Sequence, residues 1–139
     1  MNDDAVIRAT FSKQELMRTL GASLGAVAPG GVEIVLPWRP ELGQQGGLLH
    51  AGAIASVADS ACGLAALTLM DEGAGVVSVE FKLNLLAPAR GERFAARARV
   101  VRAGRTLTIA AADVFAIDGG TETIVATMLG TMISRKGRA

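Results

Sequence analysis

The chain has 139 residues, half of them hydrophobic, and its formal net charge is +1. This length fits one domain with a sizeable core, and the near-neutral charge gives no electrostatic case for binding nucleic acid or an anionic membrane. The lone cysteine excludes an internal disulfide and suits a reducing compartment, while one histidine without an acid cluster argues against a metal site. We therefore expect one cytoplasmic domain over residues 1–139, without nucleic-acid or membrane partners.

Residues 1–30 are predicted to form an N-terminal extension with one short helix. The first ten residues include two acids and no apolar segment, so they do not resemble a secretory signal. Ser12 and Glu15 have the spacing of a capping box, which predicts that the helix begins at Ser12. Its apolar side reaches Leu24, and glycine and proline residues between positions 21 and 31 end it. A strand is predicted next, at Val32–Leu36.

The longest apolar segment follows the glycine pair at 46 and 47 and predicts a long buried helix from about Ala51 to Asp71. An ionisable carboxylate inside such a helix is costly unless something offsets the cost, which makes Asp59 a candidate for chemistry. The residues on its side of the helix, at spacings of three, four and seven, are all small: Ala55, Ser56, Cys62, Gly63 and Ala66. A face of small residues leaves room for a partner backbone or a substrate.

After this helix the apolar period changes to two, which is typical of strands with one buried face. A strand over residues 77–85 is expected to bury its odd positions, which are Val77, Val79, Phe81, Leu83 and Leu85. Three more strands are predicted at 94–100, 107–117 and 123–133, separated by turns at Ala103-Gly104 and Asp118-Gly119-Gly120. The order of elements predicts an α+β fold, in which one antiparallel sheet wraps around the central helix.

The spacing of His50 and Asp59 bears on where a site can form. If the segment between them is helical, they lie about 13 Å apart along the axis, at roughly 1.5 Å per residue. They cannot both contact one small reacting group within one chain. Either they are unrelated, or a second copy completes the site by facing its helix start toward Asp59.

The start of the central helix offers a second component of a catalytic site. The backbone N–H of Ala51 or Gly52 has no partner within the helix and could hold an oxyanion. A carboxylate opposite this donor could activate water or attack a carbonyl carbon itself. Together these parts describe acyl transfer to water.

Each candidate also has a purely structural explanation. His50 can be a capping or loop residue, the glycine pair a turn, and Cys62 a small buried hydrophobe without a neighbouring base. The arginines of the predicted second strand and the turn after it form either a solvated face or a contact to the phosphates of a nucleotide-bearing substrate: Arg97, Arg99, Arg102 and Arg105. Residues 43–47 lack the Gly-Lys-Ser/Thr of a phosphate-binding loop.

Several motifs taken together resemble one family. They are Gly46-Gly47-Leu48-Leu49-His50-Ala51-Gly52, the helical Asp59, the strand residues 77–84 and Pro88. The combination is similar to the hotdog-fold acyl-CoA thioesterases of the PaaI-like, phenylacetate-pathway group, over about Val32 to Ile133. The resemblance implies a long helix in a curved antiparallel sheet. It also implies homodimers paired edge to edge, often as tetramers, with each active site between two subunits.

The resemblance also implies roles for individual residues. Asp59 matches the catalytic acid, which acts as nucleophile or general base on an acyl-CoA thioester, and the Ala51 backbone N–H matches the oxyanion donor. His50 matches the histidine that shapes the turn. Gln44 matches an Asn or Gln that positions water or the thioester, and Ser78 matches a residue that orients the water.

Substrate contacts are implied as well. Gly52 belongs to the helix-start motif, Gly63 leaves room for a bulky or planar acyl group, and basic residues are candidates for the phosphates of coenzyme A: Arg90, Arg102 and Arg105. The chain departs from the family in having His50-Ala51-Gly52 in place of His-Gly-Gly. At position 59 the chain has Asp, whereas a related branch of the family has Glu there. Gln44, in contrast, is closer to the residue found in that branch.

The sequence thus predicts a cytoplasmic thioesterase that hydrolyses an aryl- or medium-chain acyl-CoA to the free acid and coenzyme A. No cofactor is expected beyond the coenzyme A of the substrate. Two alternatives stay open. One is a non-catalytic acyl-CoA-binding module, and the other is a hotdog enoyl-CoA hydratase or dehydratase, which normally needs a His–acid pair placed differently from His50.

Overall fold

The computed structural model describes residues 1–136. Its elements in chain order are α1 (Asp4–Ser12), α2 (Glu15–Leu20), β1 (Ser23–Ala28), β2 (Gly31–Pro37), a single 3-10 turn (Pro40–Leu42), α3 (Ala51–Thr68), β3 (Gly75–Leu85), β4 (Arg93–Ala103), β5 (Leu107–Asp118) and β6 (Thr121–Arg135). The six strands form one antiparallel sheet in the order β1-β2-β4-β5-β6-β3, and α3 packs against it. The predicted α+β hotdog arrangement is confirmed.

The central helix is buried because the sheet covers most of its circumference. It packs against five of the six strands, and its small residues let the strands approach closely. By length and composition α3 could span a membrane, but 67% of its residues are buried within the fold. That degree of burial inside a sheet is typical of the core helix of a globular domain.

The N-terminal extension differs from its prediction. Residues 4–12, which show no strong pattern, form α1, and the Asp3 side chain caps it by accepting the Val6 N–H at 3.1 Å. Ser12 therefore ends a helix rather than beginning one, and the capping box predicted from Ser12 and Glu15 is wrong. The chain then starts a separate helix at Glu15, which ends where Gly21 adopts φ +79°.

Leu24 lies on a strand and not on the predicted helix. The segment Ser23–Ala28 pairs antiparallel with β2 and forms the edge of the sheet opposite to β3. Its pairing with β2 is irregular between Leu24 and Val27, so the segment shows no clean alternation in the sequence. At the other end of the chain, Arg135 closes β6, and the Gly137 and Arg138 of the basic tail lie outside the described residues.

The N-terminus binds the carboxyl end of the central helix. Asn2 is buried, and its Nδ2 donates to the carbonyl oxygens of Leu67 at 2.8 Å and Met70 at 3.1 Å. Its backbone N–H donates to the Thr68 carbonyl oxygen at 3.1 Å. The last carbonyls of a helix have no partner within it, so Asn2 satisfies groups that would otherwise be left unpaired.

Strand β3 does not bury its odd positions as expected. Four of the five apolar side chains are exposed, from 39% for Val77 to 56% for Val79 and Leu85. Within residues 1–136 no strand pairs with the outer side of β3, which is therefore an edge strand. Of the five, only Leu83 packs partly against the core.

A bulge between Ser78 and Glu80 interrupts the alternation of β3. Ser78 pairs with the buried Met132, whereas Glu80 pairs with Thr131, so the side chains on either side of the bulge face opposite ways. Phe81 is then on the helix-facing side and Val77 on the outer side, although both are odd-numbered.

Replacing Asn2 by alanine should lower the free energy of unfolding by about 1–3 kcal/mol, because buried carbonyl oxygens at the end of α3 would lose their donor. Urea denaturation measures this change. The control is Glu72→Ala in the exposed turn after α3, which should change stability by no more than about 0.5 kcal/mol. Equal effects of the two substitutions would contradict the capping role of Asn2.

Candidate active site

The carboxylate of Asp59 lies on α3 where the helix faces β3. Its Oδ1 accepts a hydrogen bond from the Ser78 Oγ at 2.7 Å, and the same hydroxyl lies 3.2 Å from the Met132 Sδ. Its Oδ2 has no hydrogen-bond partner within residues 1–136. The half-buried acid is thus held by a neutral hydroxyl and not by a basic residue, and one oxygen is left available.

A cavity of about 210 Å³ adjoins this carboxylate. Leu64 and Val76 form its apolar walls, and Gly63 enlarges it. A Cβ built on Gly63 would meet one atom, the Val76 Cγ1 at 3.9 Å, so the missing side chain is what keeps this part of the cavity open. Gln14, from the link between α1 and α2, also borders the cavity, a position that the sequence patterns did not indicate.

His50 is the N-cap of α3. Its backbone is extended (φ −64°, ψ 139°), and its Nδ1 accepts the Gly52 N–H at 2.7 Å. A Cβ on Gly52 would lie 3.0 Å from that nitrogen, so glycine makes room for the capping ring. The Ala51 N–H has no acceptor in the described part of the chain. Of the two predicted oxyanion donors, the one at Ala51 is therefore open and the one at Gly52 is occupied.

Gln44 belongs to the turn that precedes the helix. Its side-chain oxygen accepts the Gly46 N–H, and its backbone N–H donates to the Leu48 carbonyl at 2.8 Å. A second cavity, of about 250 Å³, lies beside the helix start and is bordered by His50, Gly52 and Ser56. It shares no bordering residue with the Asp59 cavity. Within one chain the two halves of the predicted site are therefore apart.

The predicted coenzyme A contacts are also apart. Arg90 follows Ala89, whose carbonyl accepts the Leu49 N–H at 3.0 Å, so Arg90 lies near the start of α3. Arg105 borders a cavity of about 530 Å³ together with Lys136, near the other end of the helix. Arg102 is exposed on β4, three residues before Arg105.

Two other arginines of β4 are engaged in ion pairs on the outer face of the sheet. Arg97 bonds to Glu33 at 2.9 Å and to both carboxylate oxygens of Glu122 at 2.8 Å, which holds the pKa of Glu122 below its ordinary value. Arg99 pairs with Asp113 at 3.4 Å. Both arginines therefore stabilise a solvent-exposed strand face. This agrees with one of the two explanations given for the arginines of this strand.

Cys62 lies one turn of helix after Asp59 and is completely buried. Burial, reinforced by the nearby negative charge of Asp59, raises the pKa of its thiol to about 12. The group is protonated at neutral pH and is a poor nucleophile. No group of three or more potential metal ligands occurs among residues 1–136.

Comparison with known proteins gives consistent matches. Residues 46–123 match the family model described as the thioesterase superfamily. A relative from Saccharolobus solfataricus, named as an esterase, is 31% identical over 81% of this chain and 81% of its own length. A solved thioesterase family protein from Silicibacter pomeroyi is 50% identical, with a TM-score of 0.92 over 94% of this chain and 96% of its own.

The Escherichia coli PaaI protein from the phenylacetic acid degradation operon has a TM-score of 0.82 at 18% identity. It covers 94% of this chain and 91% of its own. At this level of identity the similarity shows a shared fold.

The raised pKa of Cys62 makes stability depend on alkaline pH. An unfolded thiol ionises near its ordinary value of 9.0, while the folded one keeps its proton to about 12. This stabilisation is complete below pH 9 and is lost as the pH rises, so the free energy of unfolding should fall by about 1 kcal/mol between pH 8 and pH 10. Cys62→Ala should lack this fall. Identical pH profiles for the two proteins, measured by urea denaturation, would contradict the assignment.

Proposed function

We propose that this chain, which belongs to the thioesterase superfamily, hydrolyses the thioester of an acyl-CoA at a site shared by two subunits. Family membership confirms the predicted class of enzyme, a thioester hydrolase. The observation that carries the proposal is the carboxylate of Asp59, held at one oxygen by Ser78 and open at the other beside a cavity. The substrate class, the residue roles and the shared site are our proposals.

Asp59 acts on the thioester through its free Oδ2. As general base it takes a proton from water while the water oxygen attacks the carbonyl carbon. The carbon–sulfur bond then breaks, and the proton goes to the departing coenzyme A thiolate, leaving the free acid. As nucleophile it attacks the same carbon, the carbon–sulfur bond breaks, and the coenzyme A thiolate leaves and takes a proton from water. Water then hydrolyses the resulting anhydride, which releases the free acid and restores the Asp59 carboxylate. In both routes Ser78 fixes the direction of the carboxylate, so it is a positioning residue.

The negative charge that develops on the carbonyl oxygen needs a donor. The Ala51 N–H fits this role because it is the first N–H of an 18-residue helix and has no acceptor of its own in the described chain. His50 supports it indirectly, since its ring occupies the neighbouring Gly52 N–H and fixes the first turn. Gln44 stabilises the loop that leads into this turn.

A second copy of the chain brings the two halves together. The helix α3 runs along β3 in the opposite direction, because Gly63 lies beside Val76 and Asp59 lies beside Ser78. The helix start, eight residues before Asp59, therefore lies farther along β3 toward its carboxyl end. If two β3 strands pair antiparallel, a two-fold axis near the middle of the strand places the helix start of one subunit beside Asp59 of the other.

The free edge of β3 supports this pairing. It offers unpaired backbone groups together with exposed Val79, Phe81 and Leu85, which are the features that strand addition buries. The same axis brings Arg105, near the beginning of β3, toward Arg90 beyond the end of β3 in the partner. Basic residues that are separated within one chain would then flank one coenzyme A. A dimer of dimers is the expected assembly from the family resemblance.

Two further parts of the prediction remain proposals. The substrate is expected from the family resemblance to be an aryl- or medium-chain acyl-CoA, and the cavity beside Asp59, which Gly63 enlarges, offers room for part of its acyl group. A cytoplasmic location and a place in phenylacetate breakdown follow from the resemblance.

Hydrolysis of a panel of acyl-CoAs, measured as thiol release, tests this function. Asp59→Asn and Asp59→Ala should lower kcat by about 10²–10⁴-fold, which is the usual contribution of a general base. The control is Asp118→Asn at the exposed end of β5, which should keep the wild-type rate. Full activity in both Asp59 variants would refute the role of this acid. Tight binding without turnover would indicate a binding module, and hydration of an enoyl-CoA would indicate a hydratase.

Ala51→Pro removes the proposed oxyanion donor with little disturbance of the backbone. Proline is accepted at the first position of a helix, and the extended His50 already has the conformation that a residue before proline prefers. We expect kcat to fall by about 10²–10³-fold, whereas Ala51→Gly, which keeps the N–H, should lose far less. Unchanged melting temperatures would verify that both variants fold.

Mixing the Ala51→Pro and Asp59→Asn proteins after joint refolding tests the shared site. Half of the dimers should contain one subunit of each kind, and each such dimer has one site with both wild-type groups. About a quarter of the wild-type activity should therefore return. No recovery in demonstrably mixed dimers would show that each site lies within one chain.

A further inference from the structure

The unpaired edge of β3 carries two opposite charges close together. Glu80 and Lys82 are exposed, and both side chains point to the outer face of the sheet, since they pair with Thr131 and Leu129 of β6. The Thr131 hydroxyl donates to the Glu80 Oε2, which holds this carboxylate in place. Lys82 forms no ion pair within residues 1–136. The edge therefore presents an acid and a base to any strand that pairs with it.

Symmetry limits how two β3 strands can pair. In an antiparallel pair related by a two-fold axis normal to the sheet, one residue faces its own copy, and the residues before and after it face each other. An axis at Glu80 would oppose two carboxylates, and an axis at Lys82 would oppose two ammonium groups. An axis at Phe81 instead places Glu80 of each subunit opposite Lys82 of the partner subunit. Unlike charges opposite each other stabilise a strand pair and like charges destabilise it, so the charges favour the axis at Phe81.

Helix α3 and strand β3 run nearly parallel beside the site, so distances along them can be compared. Gly63 lies beside Val76, and Asp59 lies beside Ser78. Between these two positions the helix covers about 6 Å and the strand about 7 Å. The helix start, eight residues before Asp59, therefore lies about 12 Å from Asp59 toward the carboxyl end of β3.

An axis at Phe81 brings this helix start level with the acid of the partner. The bulge leaves one β6 residue, Thr131, between the partners of Ser78 and Phe81, so Asp59 lies about 7 Å before the axis. The helix start lies about 5 Å beyond the axis, and the two-fold rotation moves it to within about 2 Å of the partner's Asp59 along the strand. An axis one residue earlier or later would leave the two groups about 5 or 8 Å apart.

We infer that two β3 strands pair with Phe81 on the two-fold axis, and that two ion pairs between Glu80 and Lys82 of different subunits set this register. The inference rests on the proposed function and specifies the partner surface of its shared site. Moving the axis by one residue slides the partner by two, about 7 Å, and carries its helix start away from Asp59. Glu80 and Lys82 are therefore positioning residues. The Phe81 side chain, which is 42% exposed in one chain, is covered by its copy.

Charge exchange tests this register, with the dimer dissociation constant of the full chain measured by analytical ultracentrifugation. Glu80→Lys and Lys82→Glu each place like charges opposite each other, so each should weaken the dimer by about tenfold or more. The double variant restores unlike pairs and should return the dissociation constant to within about threefold of wild type. In an equimolar mixture of the two single variants, native mass spectrometry should show mixed dimers in excess of the random half.

Asp4→Lys is the matched control for charge reversal. Asp4 is an exposed acid of α1, which packs against β1 at the other edge of the sheet. Charges far from the interface are screened by salt, so the dissociation constant should stay within about twofold of wild type. Wild-type dimerisation of both single variants would overturn the inference, and so would a double variant as weak as the single ones.

Cysteine crosslinking locates the axis independently of affinity. In a protein that carries Cys62→Ala, the substitution Phe81→Cys places two thiols on opposite residues whose Cα atoms lie about 5 Å apart, within the range of a disulfide. The thiols of Leu83→Cys, two residues from the axis on each strand, would lie about 13 Å apart. Mild oxidation with copper phenanthroline should therefore give a covalent dimer of Phe81→Cys and none of Leu83→Cys.

The outcomes separate the inference from the proposed function. A covalent dimer of Leu83→Cys with none of Phe81→Cys would place the axis elsewhere and overturn the inference alone. If neither cysteine variant forms a covalent dimer, the β3 strands do not pair at these residues, and the shared site fails together with the register. Thiol release from the acyl-CoA panel decides separately whether the chain is a thioesterase.

Discussion

A charged group can lie on the central helix only where the sheet that covers the helix ends. Removing an ion from water without a partner is expensive, and α3 is surrounded by apolar side chains along most of its length. Asp59 meets this constraint by facing β3, the edge strand, where Ser78 supplies a hydrogen bond and solvent reaches the second oxygen. The position of the site therefore follows from the limited width of the sheet.

The same edge gives β3 two functions that would conflict in an interior strand. Its inner side supports the acid of its own chain, and its outer edge leaves backbone groups free for the pairing with a second copy that we propose. The bulge between Ser78 and Glu80 makes this combination possible, since it turns the hydroxyl toward the helix and then returns the later apolar residues to the helix-facing side. A regular strand could not present Ser78 and Phe81 on one side, because their separation is odd.

Much of the fold could be predicted from local patterns, and the failures have physical causes. The existence of α3 and of the strands β4 to β6 could be predicted from apolar periods that persist for seven residues or more. Their exact ends could not, since α3 ends at Thr68, before the predicted Asp71, and β4 extends to Ala103. The bulge in β3 was missed because the alternation of apolar and polar residues in the sequence does not reveal an extra residue in the strand. The exposure of β3 was missed because it depends on the order of the strands in the sheet. α1 was missed although Asp3 and Asp4 are good residues for a helix start. Gln14 was missed because its partner Ser60 is 46 residues away, beyond any local pattern.

Asn2 and Gln14 hold the two ends of α1 against the same helix, Asn2 at the carboxyl end of α3 and Gln14 near its middle. Segments of this kind detach from a native protein as cooperative units. A ligand in the cavity that contacts Gln14 binds the docked form more tightly, so its binding energy adds to the stability of docking by mass action. Occupancy of the cavity and protection of the amides of α1 from hydrogen exchange are thereby thermodynamically linked, although they lie in different parts of the molecule.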